Sequence, residues 1–458
     1  YIITGPGEGG FRHLLLNNIN LEEKVIAVKN PPFSGIPFPY DKDDFKGLKN
    51  RFIYYESSRG CAFKCTYCLS SRPDEVIENR AMGQVMEELE SIMANFPAQS
   101  KGHSVTKGGF IKFIDRTFNL NKTHYRQIWE FIIKNYHNRG MEFHFEIHPE
   151  LLDSKDFIIL DKCPPDLFRF EVGIQSVNSG VLKEINRDSQ WTNIEPKIRR
   201  LLDMKNIHIH VDMIVGLPLE GLAETEKSFN EIYGLRAHHF QMGFLKVLPG
   251  TKMSSCSEQY GMEYSKNAPY SVKRTKWLSA EEIERLEQVS RLIDMLYNTH
   301  RFFATLNALE EHFTGPFELY NSLANYIGDD TGNMNRSFEV NAKLIMRFID
   351  SELSEKRDFL IDCLRWDYCK TTSLNKYPYF LKSPLLKEVK KHGYNFISSQ
   401  LSEKGTSDED TNVDRAELKK GIFYVACSEQ FRINYMDNKN SAVFLPGKSI
   451  ILFNTPGL

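Results

Sequence analysis

Arg59-Gly60-Cys61-Ala62-Phe63-Lys64-Cys65-Thr66-Tyr67-Cys68 sets three thiols at C-x3-C-x2-C spacing directly after a strand-like run at 52–57. Three thiolates on so short a loop can reach three corners of a [4Fe–4S] cube and leave the fourth iron without a protein ligand. An open iron is a binding site. Structural zinc is closed by four ligands, and no nearby Cys or His completes a finger-like set around this loop. Three unrelated core cysteines account poorly for the spacing. Cys61, Cys65 and Cys68 are therefore the candidate metal ligands.

Outward from the loop, strand-like and helix-like segments alternate. The strands are expected at 52–57, 110–115, 142–147, 168–174, 207–215 and 240–248, and the helices at 82–95, 123–136, 154–161, 195–206 and 222–233. In the first helix, apolar residues at 82, 85, 86, 89, 92 and 93 mark one face. Strand–helix units repeating at ~30 residues imply right-handed crossovers and a parallel sheet. Six units are fewer than the eight of a closed barrel, which predicts an α/β fold built on a partial (β/α)6 barrel. Strand ends of such a barrel project side chains into a site at the C-terminal face, so Asp115, Glu146, Gln175 and Asp212 are candidate site residues. His144, His148, His208 and His210 alternate as strand neighbours do, and are read as one satisfied or exposed face rather than as metal ligands.

At this point the sequence resembles the radical S-adenosylmethionine (SAM) superfamily, whose signature is C-x3-C-x-aromatic-C after the first strand of a partial (β/α)6 barrel. Tyr67 fills the aromatic place, and the likeness covers about residues 50–250. It implies that the open iron chelates SAM and that an electron from the cluster splits SAM into methionine and a 5′-deoxyadenosyl radical. The strand-end set is similar to that of the coproporphyrinogen-dehydrogenase and methylthiotransferase branches. By that resemblance Arg187 faces the methionine carboxylate, Gln175 and Asp212 bond ribose hydroxyls, and Glu146 holds the methionyl amino end or the ribose. Asp115 closes the second strand in Asp115-Arg116-Thr117-Phe118-Asn119, and Gly216 lies in the strand ending that matches the adenine-flanking segment. Arginine suits carboxylate geometry, paired hydroxyls need acceptors, and glycine allows close backbone approach.

Flanking regions set the domain plan. Ile2-Ile3-Thr4-Gly5-Pro6-Gly7-Glu8-Gly9-Gly10-Phe11 reads as a strand, a glycine turn and a helix from Phe11, followed by a Pro-rich connector at 30–39. It resembles the tail of the cobalamin-binding domain of B12-dependent radical SAM proteins. That resemblance implies methylcobalamin chemistry on an unknown substrate, with the cobalamin held mainly by sequence upstream of Tyr1. Residues 1–50 are read as this remnant plus linker, 51–255 as the barrel, 256–400 as a mainly helical C-terminal extension, 401–417 as a flexible linker, and 418–458 as a short β-rich tail. Short strands are expected in that tail at 421–427, 431–435 and 449–453.

The 458 residues carry 58 basic and 60 acidic side chains, a net charge of −2, which gives no electrostatic reason to expect nucleic acid or an acidic membrane surface. No apolar run approaches the ~20 residues of a membrane span, and no signal peptide is visible. The eight cysteines are uneven, with Cys163, Cys256, Cys363, Cys369 and Cys427 scattered, which suits a reducing cytoplasm and one thiolate cluster rather than a disulfide scaffold. An external flavodoxin- or ferredoxin-type reductant is implied, and the substrate, small molecule or peptide, is not legible. Two rival classes are a methylthiotransferase-like enzyme, for which no second Cys triad is visible, and an iron–sulfur electron-transfer or sensor protein, which needs a fully ligated cluster.

Overall fold

Alternation along the central strands decides which way each side chain points. In Phe168–Gln175, residues Phe168, Phe170, Val172 and Ile174 are buried, while Arg169, Glu171, Gly173 and Gln175 are only half-buried. Ile207–Val215 repeats the pattern, with His208, His210 and Asp212 on the polar side. The apolar face meets a crossover helix, Trp129 stacking on Phe170, and the polar face carries the charged and histidine side chains. The structure, a computed structural model, describes all residues except 6, 30, 49–50, 71–75, 96–99, 102–103, 106–108, 137–139, 188, 329–336, 373–376, 404–420, 446–449 and 457–458.

The chain opens with β1 (Ile2–Ile3), α1 (Gly7–Leu16) and β2 (Val25–Ile26), a βαβ unit whose two strands pair in parallel. Helix α1 begins at Gly7, not at Phe11 as the sequence suggests. Gly5 turns the chain at φ +81°, whereas Gly9 and Gly10 are packing residues: both are buried, and a Cβ at Gly10 would overlap the Ile3 side chain. Around this unit Ile2, Phe11, Leu15, Leu16, Ile19 and Val25 are exposed.

The sheet runs β3 (Phe52–Tyr55), β4 (Gly109–Phe113), β5 (Met141–Ile147), β6 (Phe168–Gln175), β7 (Ile207–Val215) and β8 (His239–Phe244) in sequential order. Successive pairs from β3 to β7 are parallel. With β3 and β8 at opposite edges the sheet is not closed, which is the partial barrel the spacing predicts. The crossovers carry α2 (Met82–Asn95), α3 (Lys122–Tyr136), α4 (Ser154–Leu160), α5 (Ser179–Glu184), α6 (Trp191–Asp203) and α7 (Leu222–Tyr233). Asp153 starts α4 with a capping box closed by Asp156, and the Asn178 side chain caps α5. Helix α6 starts four residues before the expected 195 and runs through Pro196, because Ile194, Ile198 and Leu201 anchor one continuous buried face. The apolar side of the sheet is aromatic: Phe145 packs against Phe118, Phe113 and Phe168, and Trp129 against Phe170. Truncating such a ring to alanine costs ~3–5 kcal/mol.

The chain divides into two compact units, Tyr1–His238 with Gly243–Ser279, and His239–Met242 with Ala280–Leu458. The second is helical through α8 (Ala280–Leu292), α9 (Phe303–Glu310), α10 (Pro316–Ile327), α11 (Phe338–Glu352), α12 (Arg357–Thr371) and α13 (Leu386–Glu403). Helix α12 is buried nearly all round, and Trp366 packs edge-on against Tyr424, Phe431 and Phe444. An antiparallel sheet of β9 (Ile422–Val425), β10 (Ser441–Phe444) and β11 (Ile450–Phe453) forms the tail. Residues 431–435, expected as a strand, lie instead in helix α14 (Glu429–Tyr435), started by the Ser428 side chain on Phe431 N. The third strand is β10. Of the linker expected at 401–417, residues 401–403 end α13 and the rest lie outside the described residues. No helix among the described residues is long and apolar enough to cross a membrane.

Candidate cluster and cofactor site

Cys61, Cys65 and Cys68 sit on the loop that follows β3. Gly60 turns the chain there at φ +96°, and a Cβ would lie 2.9 Å from the Val76 carbonyl oxygen, so glycine is required. Cys61 and Cys65 are buried and Cys68 is half-buried. Thr117 Oγ1 lies 3.6 Å from Cys61 Sγ, and Arg187 Nη1 lies 3.8 Å from Cys65 Sγ. Burial pushes the Cys65 thiol up, Arg187 opposes it, and the neighbouring Cys68 and Cys61 add to the rise. Tyr67 is half-buried beside Cys65, and desolvation of its phenol raises it above the usual range. Phe63, between the first two cysteines, stacks on His148 at 4.5 Å. Burial, with Arg187 and Lys197, pushes His148 down to about 3, so it is neutral.

Three predicted residues converge around Gly173. The register of β6 against β7 shifts between Gly173 and Gln175, and Gln175 takes φ +73° in this bulge. A Cβ at Gly173 would overlap the Gln175 amide. Arg187 Nη2 donates to the Gly173 carbonyl, and Asp212 lies opposite Gly173 in the ladder. Gln175 Oε1 and Arg187 Nε are buried and meet no partner among the described residues. The donor set fits the two groups the motif implies: three thiols with a cation and a hydroxyl against sulfur suit an iron–sulfur cluster, and orphaned polar atoms beside it suit a polar ligand.

Asp115 is 1% exposed, and its carboxylate accepts from Ser57 N, Ser57 Oγ and Ser58 Oγ, at the root of the cysteine loop. Burial pushes it up to about 6 against the pull of those bonds. Gly216, at φ +88°, gives its close approach to Val272, whose Cγ1 would be 2.8 Å from a Cβ. Glu146 lies 3.8 Å from Lys112 Nζ, and burial and then Glu171 raise its carboxyl.

The sequence reading passes over Lys112 and Glu171, although period-two alternation puts both on the polar face. Glu171 binds His144 and Lys112, each at 3.0 Å, and these hold it down at about 2. His210 meets Asp212 at 2.8 Å. Glu171, His210 and Asp212 bring donor atoms within 4.8 Å of one another, but Lys112 already supplies the counter-charge. His144 and His210 thus each meet a carboxylate on the polar face.

Residues 55–232 match the model of the radical SAM superfamily, so this barrel is a radical SAM domain. Residues 258–453 match a second family, described as protein of unknown function DUF4080, which covers most of the C-terminal extension. Among curated proteins the chain is similar to the heme chaperone HemW of Buchnera aphidicola, 25% identical over 196 residues, 42% of this chain and 50% of that protein. It is also similar to the ribosomal protein uS12 methylthiotransferase RimO of Alkaliphilus oremlandii, 24% identical over 189 residues, 40% of each chain. The chain thus spans about half the length, or less, of the curated relatives it matches. Among solved structures it is similar to the cobalamin-dependent SAM radical enzyme OxsB, at TM-score 0.49 and 14% identity, over 79% of this chain and 62% of that one. It is similar as well to the radical SAM methyltransferase TsrM of Kitasatospora setae, at TM-score 0.41 and 16% identity, over 53% and 47%.

Proposed function

We propose that this chain binds a [4Fe–4S] cluster on Cys61, Cys65 and Cys68, cleaves SAM reductively, and serves a cobalamin-dependent, methyltransferase-type reaction. The observation that carries the SAM reading is the placing of Arg187: one guanidinium nitrogen faces Cys65 Sγ, another holds the Gly173 carbonyl, and Nε has no described partner. When bound, the cluster supplies a single electron and one open coordination site. Arg187 then orients a carboxylate, and Gln175 and Asp212 accept from paired hydroxyls on the neighbouring strand ends. Phe63 stacks on His148 beside the loop. An external flavodoxin- or ferredoxin-type protein is the proposed electron donor, and the substrate is a small molecule or peptide.

Cobalamin is supported by the Gly7-Glu8-Gly9-Gly10 run, which builds a close-packed βαβ unit, and by the apolar side chains that unit leaves exposed. Anaerobically reconstituted, reduced protein is expected to convert SAM to methionine and 5′-deoxyadenosine. An intact cluster with no 5′-deoxyadenosine overturns the SAM reading. The natural polypeptide is expected to retain a corrinoid spectrum after B12 loading, and a corrinoid-free protein overturns the cobalamin assignment alone.

A further inference from the structure

Glu8, in the glycine-rich run of α1, reaches the cysteine loop. Its Oε1 lies 2.8 Å from Nη2 of Arg59, two residues before Cys61. Arg59 is held from its other side as well: Nε and Nη2 donate to the Glu56 carboxylate at 2.9 and 2.6 Å. Its guanidinium lies 4.8 Å from the centre of the Phe33 ring, which is buried and carries Arg80 at 4.7 Å. Arg80 in turn donates to the carbonyls of Glu56 and Ile36 and pairs with Glu88 at 3.2 Å. The N-terminal segment, through Glu8, Phe33 and Ile36, therefore grips the two arginines that bracket the loop.

The backbone beside Arg59 has little slack. Ser58–Arg59 pairs with Glu78–Asn79 in a short antiparallel ribbon, and Gly60 follows at positive φ against the Val76 carbonyl. With Arg59 fixed in direction, the start of the Cys61–Cys68 turn is fixed too. Glu56 alone can neutralise Arg59, so the second carboxylate, from a distant part of the chain, adds orientation rather than charge balance.

We propose that Glu8 and Arg59 form a latch by which the N-terminal βαβ segment holds the cysteine loop in its ligating shape, with Arg59 a positioning residue for the cluster. The proposal rests on the cluster reading above. It is tested on cluster-loaded protein by the rate at which cluster absorbance is lost to a ferrous chelator, and on cluster-free protein by hydrogen exchange of the peptide spanning 56–68. Glu8→Gln is expected to speed cluster loss about two- to fivefold, the range of a part-exposed ion pair, and to speed exchange in that peptide. Glu8→Asp restores part of the effect. The Glu8→Gln/Arg59→Gln pair is no worse than Arg59→Gln alone, because Arg59→Gln already removes the contact that Glu8 makes. Lys46→Ala, which breaks the exposed Lys46–Asp43 pair of the same segment, changes neither rate. Wild-type rates in Glu8→Gln, or additive effects in the double variant, overturn the latch. A wild-type protein that takes up no cluster overturns the cluster reading, and the latch with it.

Discussion

Cys61 and Cys65 on the barrel loop and Cys363 and Cys369 in α12 are all buried thiols, and in little else do they agree. The loop sulfurs meet the Thr117 hydroxyl and the Arg187 guanidinium, with a third thiol, Cys68, on the same turn. In α12, Cys369 Sγ lies 2.8 Å from the Tyr377 hydroxyl. Burial pushes the Cys363 thiol up, and the nearby carboxyls of Asp367 and Asp362 push it further. Burial raises both Cys65 and Cys363, but only at Cys65 does a guanidinium stand against the sulfur and oppose the rise. Sequence spacing and electrostatic surroundings, not burial, separate a ligand from a core residue.

The largest expected effect follows from that difference. Cys61→Ser, Cys65→Ser or Cys68→Ser is expected to lower 5′-deoxyadenosine formation by at least about a thousandfold, about 4 kcal/mol of barrier, with iron content falling in parallel. Iron and sulfide analysis together with product chromatography checks it. A Ser variant of the loop that keeps full turnover breaks the comparison at its root.

Next comes the acidic surrounding of the α12 thiols. Asp362 accepts from Cys427 N and Ser428 N, and Asp367 from Ala304 N and Thr305 N, so both are acceptors at the starts of neighbouring helices. Burial raises each to about 6. A carboxyl raised in the fold contributes stability that is fully present below its unfolded value near 3.8 and is lost as pH rises through about 6. The α12 unit is therefore expected to lose on the order of 3 kcal/mol per group between pH 4 and 6. Asp367→Asn flattens its share of that slope. Urea titrations followed by Trp366 fluorescence across this range check it, and stability rising with pH in this window refutes it.

Arg187 sharpens the loop side of the comparison. Arg187→Met is expected to weaken SAM binding about tenfold or more, since a charge-assisted contact is lost. Cluster content falls far less than in the Cys variants, because the three thiols remain although Cys65 loses its guanidinium neighbour. Calorimetric titration of SAM into cluster-loaded protein checks it, and unchanged affinity removes Arg187 from the SAM site.

Much of this was legible before the fold was seen. The strands at 168–174 and 207–215 were legible as strand-like runs, and the alternation of His208 and His210 marked the polar face of the second. Cys61, Cys65 and Cys68 were legible because ligand spacing is local. Asp115 reads as a site residue from its strand-end position and Gly216 from the resemblance of its segment to the adenine-flanking strand, yet their partners, Ser57, Ser58 and Val272, come from other segments that no local pattern announces. Helix α14 was misread for a related reason: Phe431 and Tyr435 look like strand residues, but Ser428 caps a helix whose aromatic face is covered by Trp366 and Tyr424. Long-range packing overrides propensity there.

The smallest effect tests the α12 side directly. Cys363 is fully buried, so Cys363→Ala removes one sulfur from close-packed surroundings. Deletions of this size cost about 1 kcal/mol, spread between lost transfer energy and a small cavity. The sulfur serves there as a small apolar filler, so Cys363→Ser is expected to cost more than Ala, because a buried hydroxyl would need a partner. Both variants should keep wild-type iron content and 5′-deoxyadenosine yield while shifting the urea midpoint. The order Ala above Ser in stability, with the cluster unchanged, is what a packing thiol requires. A Cys363 variant that lost iron would mean that α12 reaches the chemistry after all, and would erase the distinction between the two sets of cysteines.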